Sequence, residues 1–293
     1  MNKTTYSDKL KNLGTETAFA VSIDATEFAQ SGNKVFPFHL GDINISTPKN
    51  IIEETKKAMY NNKNGYVPAN GIPQLRDTIA ETIGFQRGVH YNRENVVVQP
   101  GGKPVIPKFI NTFMNEGDGV LYPNPGYPIY ESQIEYNGGK ALPYRYIHSK
   151  EGFSIDREHF ENMIDKNTKL LVYNNYQNPI SAESSIEEME AIADLAIAND
   201  LWVLSDDAYY EIIYDGEARS IVSIPGMKER TVILYTFSKK FAMTGWRIGG
   251  SIGPKEIIKH ISKLNVNAES CTTHFIQDAM VEALNGDQSG PQY

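Results

Sequence analysis

The chain has 293 residues, 40% of them hydrophobic and 22% charged, which is ordinary for a soluble globular protein with a sizeable core in one large domain, or one and a part. Its 28 basic and 36 acidic residues leave a net charge of −8, which argues against a nucleic-acid or anionic-membrane surface as the main partner and towards a small molecule. The single cysteine, Cys271, excludes an intrachain disulfide and a thiolate metal cluster and reads as a buried packing residue. No apolar run approaches membrane-spanning length and the first ten residues hold no apolar leader core, so the expected location is the cytoplasm.

Residues 1 to about 35 are polar, with short helical hints such as Tyr6 to Leu13, and read as a packing arm. Phe38-His-Leu-Gly-Asp-Ile-Asn-Ile-Ser-Thr-Pro48 starts apolar and runs through Gly41 into a turn closed by Thr47-Pro48; on its own Gly41 is a turn glycine. Asn50 to Tyr60 has helical periodicity through Ile51, Ile52, Thr55 and Ala58. The polar loop Asn61 to Gly65 then delivers Tyr66, by itself a loop aromatic at a core edge, and Gly71 opens another helix. From Asn95 short apolar runs alternate with helical segments, the pattern of a mostly parallel sheet covered by helices on both faces, an α/β fold. Strands are expected at Val96–Val98, Val120–Tyr122, Leu170–Tyr173, Leu201–Leu204, Val232–Tyr235 and Ile248–Gly253, with helices at roughly 254–264 and 268–285 closing the chain.

The strand ends carry the chemistry. Gln99-Pro-Gly-Gly-Lys103 exposes backbone amides at a helix N-terminus, where an anion is favoured, but it lacks both the full dinucleotide fingerprint and the Walker spacing. Tyr127, flanked by prolines in Pro123-Asn-Pro-Gly-Tyr-Pro-Ile-Tyr130, either stacks on a planar ring or is a loop tyrosine with its hydroxyl satisfied; Tyr130 reads as packing. Asn174-Asn-Tyr-Gln-Asn178-Pro179 precedes a helix announced by the capping box Ser185-x-x-Glu188 and the stripe Ile186, Met189, Ile192 and Leu195. Asp206-Asp207 follows the next strand and could be a functional carboxylate, a magnesium pair or a solvated turn. Thr236-Phe-Ser-Lys-Lys-Phe-Ala-Met-Thr-Gly-Trp-Arg247 sets hydroxyls, Lys239 and Arg247 in one loop; it is a plausible anion cradle around a reactive lysine, or else a surface loop with ordinary basic residues.

Ser238-Lys-x-x-x-Met-Thr-Gly-Trp-Arg247 resembles the lysine segment of the fold-type I pyridoxal-phosphate (PLP) enzymes, specifically the class I/II aminotransferases related to aspartate aminotransferase. The resemblance implies that Lys239 carries PLP as a Schiff base, that Arg247, Thr236, Ser238, Gly102 and Lys103 hold its phosphate, and that Lys240 is a neighbour. It implies further that Tyr127 lies against the pyridine face, Asn178 and Tyr209 bond the phenolic oxygen, and Asp206 keeps the pyridine nitrogen protonated. Gly41 would lie against the substrate. Tyr66, within Tyr-x-x-x-x-Gly-x-x-x-Leu-Arg76, would reach the phosphate of a neighbouring subunit, which implies a homodimer with shared active sites. No metal site is implied.

The sequence departs from the family pattern where Ile43 and Ile45 replace a proline and an aromatic, and where Ile180-Ser181 follows Pro179 in place of Thr-Gly. Residues 1–45 are expected to form an arm and small-domain segment, and 46–293 the large PLP-binding domain; members of the family continue into a C-terminal small domain of about 100 residues, to which nothing here can be assigned. The function implied is transfer of an amino group from an amino acid to a 2-oxo acid. Alternatives are a PLP lyase or synthase of the same fold, a cofactor-binding fragment without activity, a cofactor-sensing regulator, and an unrelated α/β binding module.

Overall fold

Apolar runs too short for a buried helix and closed by turns become strands, and in the computed structural model, which describes residues 5–14, 17–150 and 152–290, they assemble into one sheet. In chain order the elements are α1 (Thr17–Gln30), α2 (Lys49–Tyr60), α3 (Pro73–Gln86), β1 (Val96–Gln99), α4 (Val105–Phe113), β2 (Gly119–Pro123) and α5 (Ile129–Tyr136). Next come β3 (Lys140–Tyr144), β4 (Tyr146–Ser149), β5 (Gly152–Ile155), α6 (Arg157–Asn162), β6 (Thr168–Tyr173), α7 (Ile186–Ala198) and β7 (Trp202–Asp206). The last are β8 (Thr231–Thr236), β9 (Gly249–Ile252), α8 (Lys255–Glu269) and α9 (His274–Asn285).

The seven-stranded sheet has the order β1-β9-β8-β7-β6-β2-β3, and β4 pairs with β5 as a separate hairpin. Pairings from β8 across to β3 are all parallel, and only β9 runs against both its neighbours. The mostly parallel α/β architecture expected from the alternating pattern is therefore present. Every residue of β1, β2, β8 and β9 is buried, and in β7 all but Trp202, as strands covered on both faces must be. One face packs Val97, Val120, Leu204 and Leu234 against α4, α5 and α8. The other is divided: Val96, Val98 and Tyr235 meet α3 and α9, while Leu171, Tyr173 and Val203 meet α6 and α7.

Local chemistry sets several boundaries. Ser185 Oγ caps α7 by accepting from Glu188 N at 3.1 Å, but the Glu188 carboxylate accepts instead from Ile155 N at 2.7 Å, so the expected capping box is half formed and its acid pins the helix to β5. Pro143 sits in β3, an edge strand, where a missing N–H costs least. Two expectations change. The polar arm contains a 14-residue helix, α1, none of whose described side chains is buried. Cys271 is half-buried beside a surface hollow and is not a core residue.

Candidate active site

The carboxyl ends of β6, β7 and β8 and the turn before α4 face a cleft of about 780 Å³, where ligands bind in open α/β sheets. Gly41, Gly102, Lys103, Tyr127, Asn178, Asp206, Tyr209, Thr236, Ser238, Lys239 and Arg247 all line it; of the residues singled out by sequence, Tyr66 alone does not. That convergence from six separate segments is a property of the fold, since strand ends of a parallel sheet lie side by side however far apart they are in the chain.

One end of the cleft suits an anion. A Cβ on Gly102 would stand 2.7 Å from Leu234 Cδ2, so glycine is what lets the turn before α4 lie flat against β8. Gly101, at φ +99°, leaves the space occupied by the Arg247 guanidinium: a Cβ there would come within 2.2 Å of Nη2. Arg247 is aimed by its own backbone, at φ +55°, and by bonds from Nη1 to Thr244 O at 2.8 Å and from Nη2 to Pro100 O at 3.3 Å. Beside it Thr236 Oγ1 donates to Ser238 Oγ at 2.9 Å and accepts from Ser238 N at 3.2 Å, both side chains being buried. Two hydroxyls, a guanidinium and a helix N-terminus thus gather at one place.

Another part of the lining is acidic. Asp206 closes β7, is buried, and accepts from Tyr130 Oη at 2.5 Å and from Ala208 N at 3.1 Å. Burial pushes its carboxyl up to about 6, against the pull of the Tyr130 and Ala208 bonds and of the Lys239 charge. Asp207, next in sequence, turns away: it pairs with Arg87 at 3.0 Å and accepts from Ser205 Oγ at 2.6 Å, which leaves a magnesium pair without its second ligand.

Lys239 lines the same cleft; its Nζ donates to the carbonyl of Gly41 and stands 5.4 Å from the centre of the Tyr209 ring. A Cβ at Gly41 would meet Tyr209 Oη at 3.4 Å and Lys239 Nζ at 3.5 Å, so a side chain there would fill the space around the amine. Despite Ile43 and Ile45, this segment docks firmly: Thr244 Oγ1 donates to Asp42 Oδ1 at 2.5 Å and Thr47 Oγ1 to Ala242 O at 2.8 Å. Lys240 leaves the cleft for an ion pair with Glu211 at 2.7 Å.

The sequence profile of the family described as aminotransferase class I and II matches residues 33–292. The chain belongs to that family. It is 32% identical over 281 residues to the arginine–pyruvate transaminase of Pseudomonas aeruginosa, spanning 95% of this chain and 71% of the relative. To the aspartate/prephenate aminotransferase of Thermus thermophilus it is 30% identical, spanning 97% of this chain and 73% of that one. A solved structure of the Thermus thermophilus aspartate aminotransferase with maleate superposes with a TM-score of 0.92 at 30% identity, covering 96% of this chain and 73% of that one. This aminotransferase accordingly transfers amino groups between amino and 2-oxo acids with PLP as its cofactor, and a lyase or synthase reading is not favoured.

The residues present in the aminotransferase fit PLP on chemical grounds. A phosphate suits the hydroxyls and Arg247, a protonated pyridine nitrogen suits the buried Asp206, and an amine lines the same cleft; Tyr127 and Ala208 also line it and supply apolar surface for a planar ring. The loop after Pro179 keeps its shape without the Thr-Gly pair: Ser181 takes φ +54°, a conformation usually left to glycine, and donates from N to Gln177 O at 2.7 Å. Asn174 ties that loop to β7, donating to Asp206 O at 2.9 Å and accepting from Asn178 N at 3.1 Å.

Tyr130 packs in the core as its sequence context suggests, and its hydroxyl is in addition a buried donor to Asp206, a contact that sequence reasoning did not reveal. Because that bond favours the charged carboxylate, Tyr130→Phe should raise the Asp206 pKa beyond about 6 and cost about tenfold in amino transfer at neutral pH. The check is the pH profile of kcat/KM, whose acid limb should move up; an unmoved limb would reduce Tyr130 to packing. Lys103 was expected to serve through its backbone, yet its ammonium also stands in the cleft, 5.7 Å from the ring centres of both Phe19 and Tyr127.

Proposed function

We propose that Lys239 is the residue that binds PLP covalently in this aminotransferase and then serves as its proton carrier. The observation that carries the proposal is the gathering of one amine, an anion cradle and a buried carboxylate in a single cleft. Bound PLP supplies a carbonyl that condenses with amines and a ring that withdraws electrons from the substrate Cα. Thr236, Ser238, Arg247 and the Gly102–Lys103 turn fix the phosphate, so the ring is held in one orientation. Asp206 holds a proton on the ring nitrogen; Asn178 and Tyr209 bond the phenolic oxygen. Lys239 Nζ takes the proton from Cα and, as an ammonium, gives it back on the other side of the C–N bond. Gly41 leaves room for the substrate beside that amine.

The proposal extends to a homodimer with shared active sites. Tyr66 supports it, being 91% exposed and lining a separate hollow of about 340 Å³ with Cys271 and His274, outside its own cleft and free to reach a second copy. A division near residue 46 into arm and large domain is supported by the absence of buried residues among those described in α1 and by the first described core residue, Ile51. A cytoplasmic location agrees with the single cysteine, and no helix among the described residues is long and apolar enough to cross a membrane.

The test is an absorbance spectrum of the purified chain with PLP, before and after an equimolar set of amino acids, together with sedimentation velocity. A protein-bound band above 400 nm that converts on adding amino acid, in a dimer, is the expected result. A folded protein that binds PLP without that band would overturn the Lys239 assignment, and a monomer with full activity would overturn the shared site.

A further inference from the structure

Outside the lining of the cleft, a chain of polar side chains runs from one candidate functional segment to the other. Arg87 follows α3 and its side chain is completely buried; Nε donates to Asp207 Oδ2 at 3.0 Å, Nη1 donates to Gln86 Oε1 at 2.9 Å, and the guanidinium stacks 3.6 Å above the centre of the Tyr210 ring. Gln86 Nε2 donates in turn to Glu211 Oε1 at 3.1 Å, and the same oxygen accepts from Lys240 Nζ at 2.7 Å. Tyr210 Oη closes the group by donating to Gln86 O at 2.6 Å. The two ends of this chain, Asp207 and Lys240, are the sequence neighbours of Asp206 and Lys239.

We infer that Arg87 is a positioning residue for amino transfer, bracing both the β7 end that aims Asp206 and the loop that carries Lys239. The inference rests on the roles proposed above for those two residues. The physical case is one of geometry. Asp207 and Asp206 share a peptide unit, so whatever fixes the Asp207 carboxylate fixes the direction in which Asp206 enters the cleft. A buried carboxylate that loses its cation must find water or a proton, and both require the strand end to move. Displacement of a reacting group by about 1 Å is enough to cost two orders of magnitude in rate. Tyr91, Tyr173 and Tyr176 also lie near the pair; the nearest other cations, Lys228 at 5.6 Å from the Tyr91 ring centre and Arg219 beside Tyr176, make no bond to Asp207 among the described interactions. The Lys240 amine, already engaged by Glu211, is not in contact with Asp207 among the described interactions.

The experiment compares wild type, Arg87→Gln, Asp207→Asn and the double variant Arg87→Gln/Asp207→Asn, each checked for folding by circular dichroism. The readouts are the PLP dissociation constant and the pH midpoint of the protein-bound PLP absorbance, neither of which requires turnover. Arg87→Gln should weaken PLP binding at least tenfold and displace the midpoint, and the double variant, which replaces the ion pair with two neutral amides, should recover most of both. A folded Arg87→Gln variant with wild-type affinity and midpoint overturns the brace. So does a double variant no better than Arg87→Gln, because that pattern is what simple loss of packing would give. If wild type itself forms no lysine-linked absorbance, it is the assignment of Lys239 that fails, and the two failures are therefore distinguishable.

Discussion

Replacing Lys239 with alanine should abolish the absorbance of lysine-linked PLP and lower amino transfer by on the order of 10⁴-fold or more, the combined loss of covalent capture and of the proton carrier. Lys240 should not substitute for it. That amine is engaged by Glu211 at 2.7 Å on the far side of the loop, and reaching the cleft would require breaking an ion pair whose members are only 17% and 13% exposed. PLP should still bind Lys239→Ala, since Thr236, Ser238, Arg247 and Asp206 remain. Added methylamine should return part of the rate, because a free amine can occupy the emptied space beside Gly41 and take the Cα proton. Stopped-flow turnover with and without the amine checks this; a variant that keeps more than one per cent of wild-type activity without added amine would remove Lys239 from the chemistry.

Asp206→Asn should separate stability from activity. An amide cannot hold a proton on the pyridine nitrogen, so amino transfer should fall by about 10²–10³-fold. In the cofactor-free chain the same change should stabilise. Burial lifts the Asp206 pKa from 3.8 to about 6, so the folded chain binds this proton more tightly than the unfolded chain does. The charged carboxylate therefore costs stability above pH 6, and the cost fades as pH falls from 6 towards 3.8. Asparagine carries no such charge, and the variant should be more stable than wild type near pH 7.5 by on the order of 2 kcal/mol, with the difference shrinking at pH 4.5. Urea unfolding of the two cofactor-free proteins at both pH values is the measurement. A variant less stable at pH 7.5 would mean that the Tyr130 and Ala208 bonds outweigh the desolvation of the carboxylate.

Most residues of the candidate site were legible because its parts are local. Gly102, Asn178, Asp206, Lys239 and Arg247 each sit in a short motif at the end of an apolar run, and a run buried on both faces announces itself by having no polar alternation, as β8 does. Less was legible where tertiary context overrides the local signal. β3 carries Pro143 and went unread, since a proline is tolerated in a strand only when that strand lies at an edge, and edge position is decided by the neighbours. None of the described side chains of α1 is buried, and its apolar residues Phe19, Val21, Ile23 and Phe28 do not gather into the single stripe that marks a helix. Tyr130 looks like any core tyrosine until the strand 76 positions later brings a carboxylate to within 2.5 Å of its hydroxyl.

The sequence by itself determined the α/β class and, through the family resemblance of the Lys239–Arg247 segment, the cofactor chemistry and the candidate lysine, because strand burial and short motifs depend on residues close in the chain. Only the tertiary structure decided that Asp206 faces the cleft while Asp207 faces Arg87, that Tyr130 serves the first, and that Gly41 stands against Lys239. Those are contacts between segments 76 to 198 residues apart, and the chain specifies them through the packing of the whole sheet and its helices, with no local pattern to read.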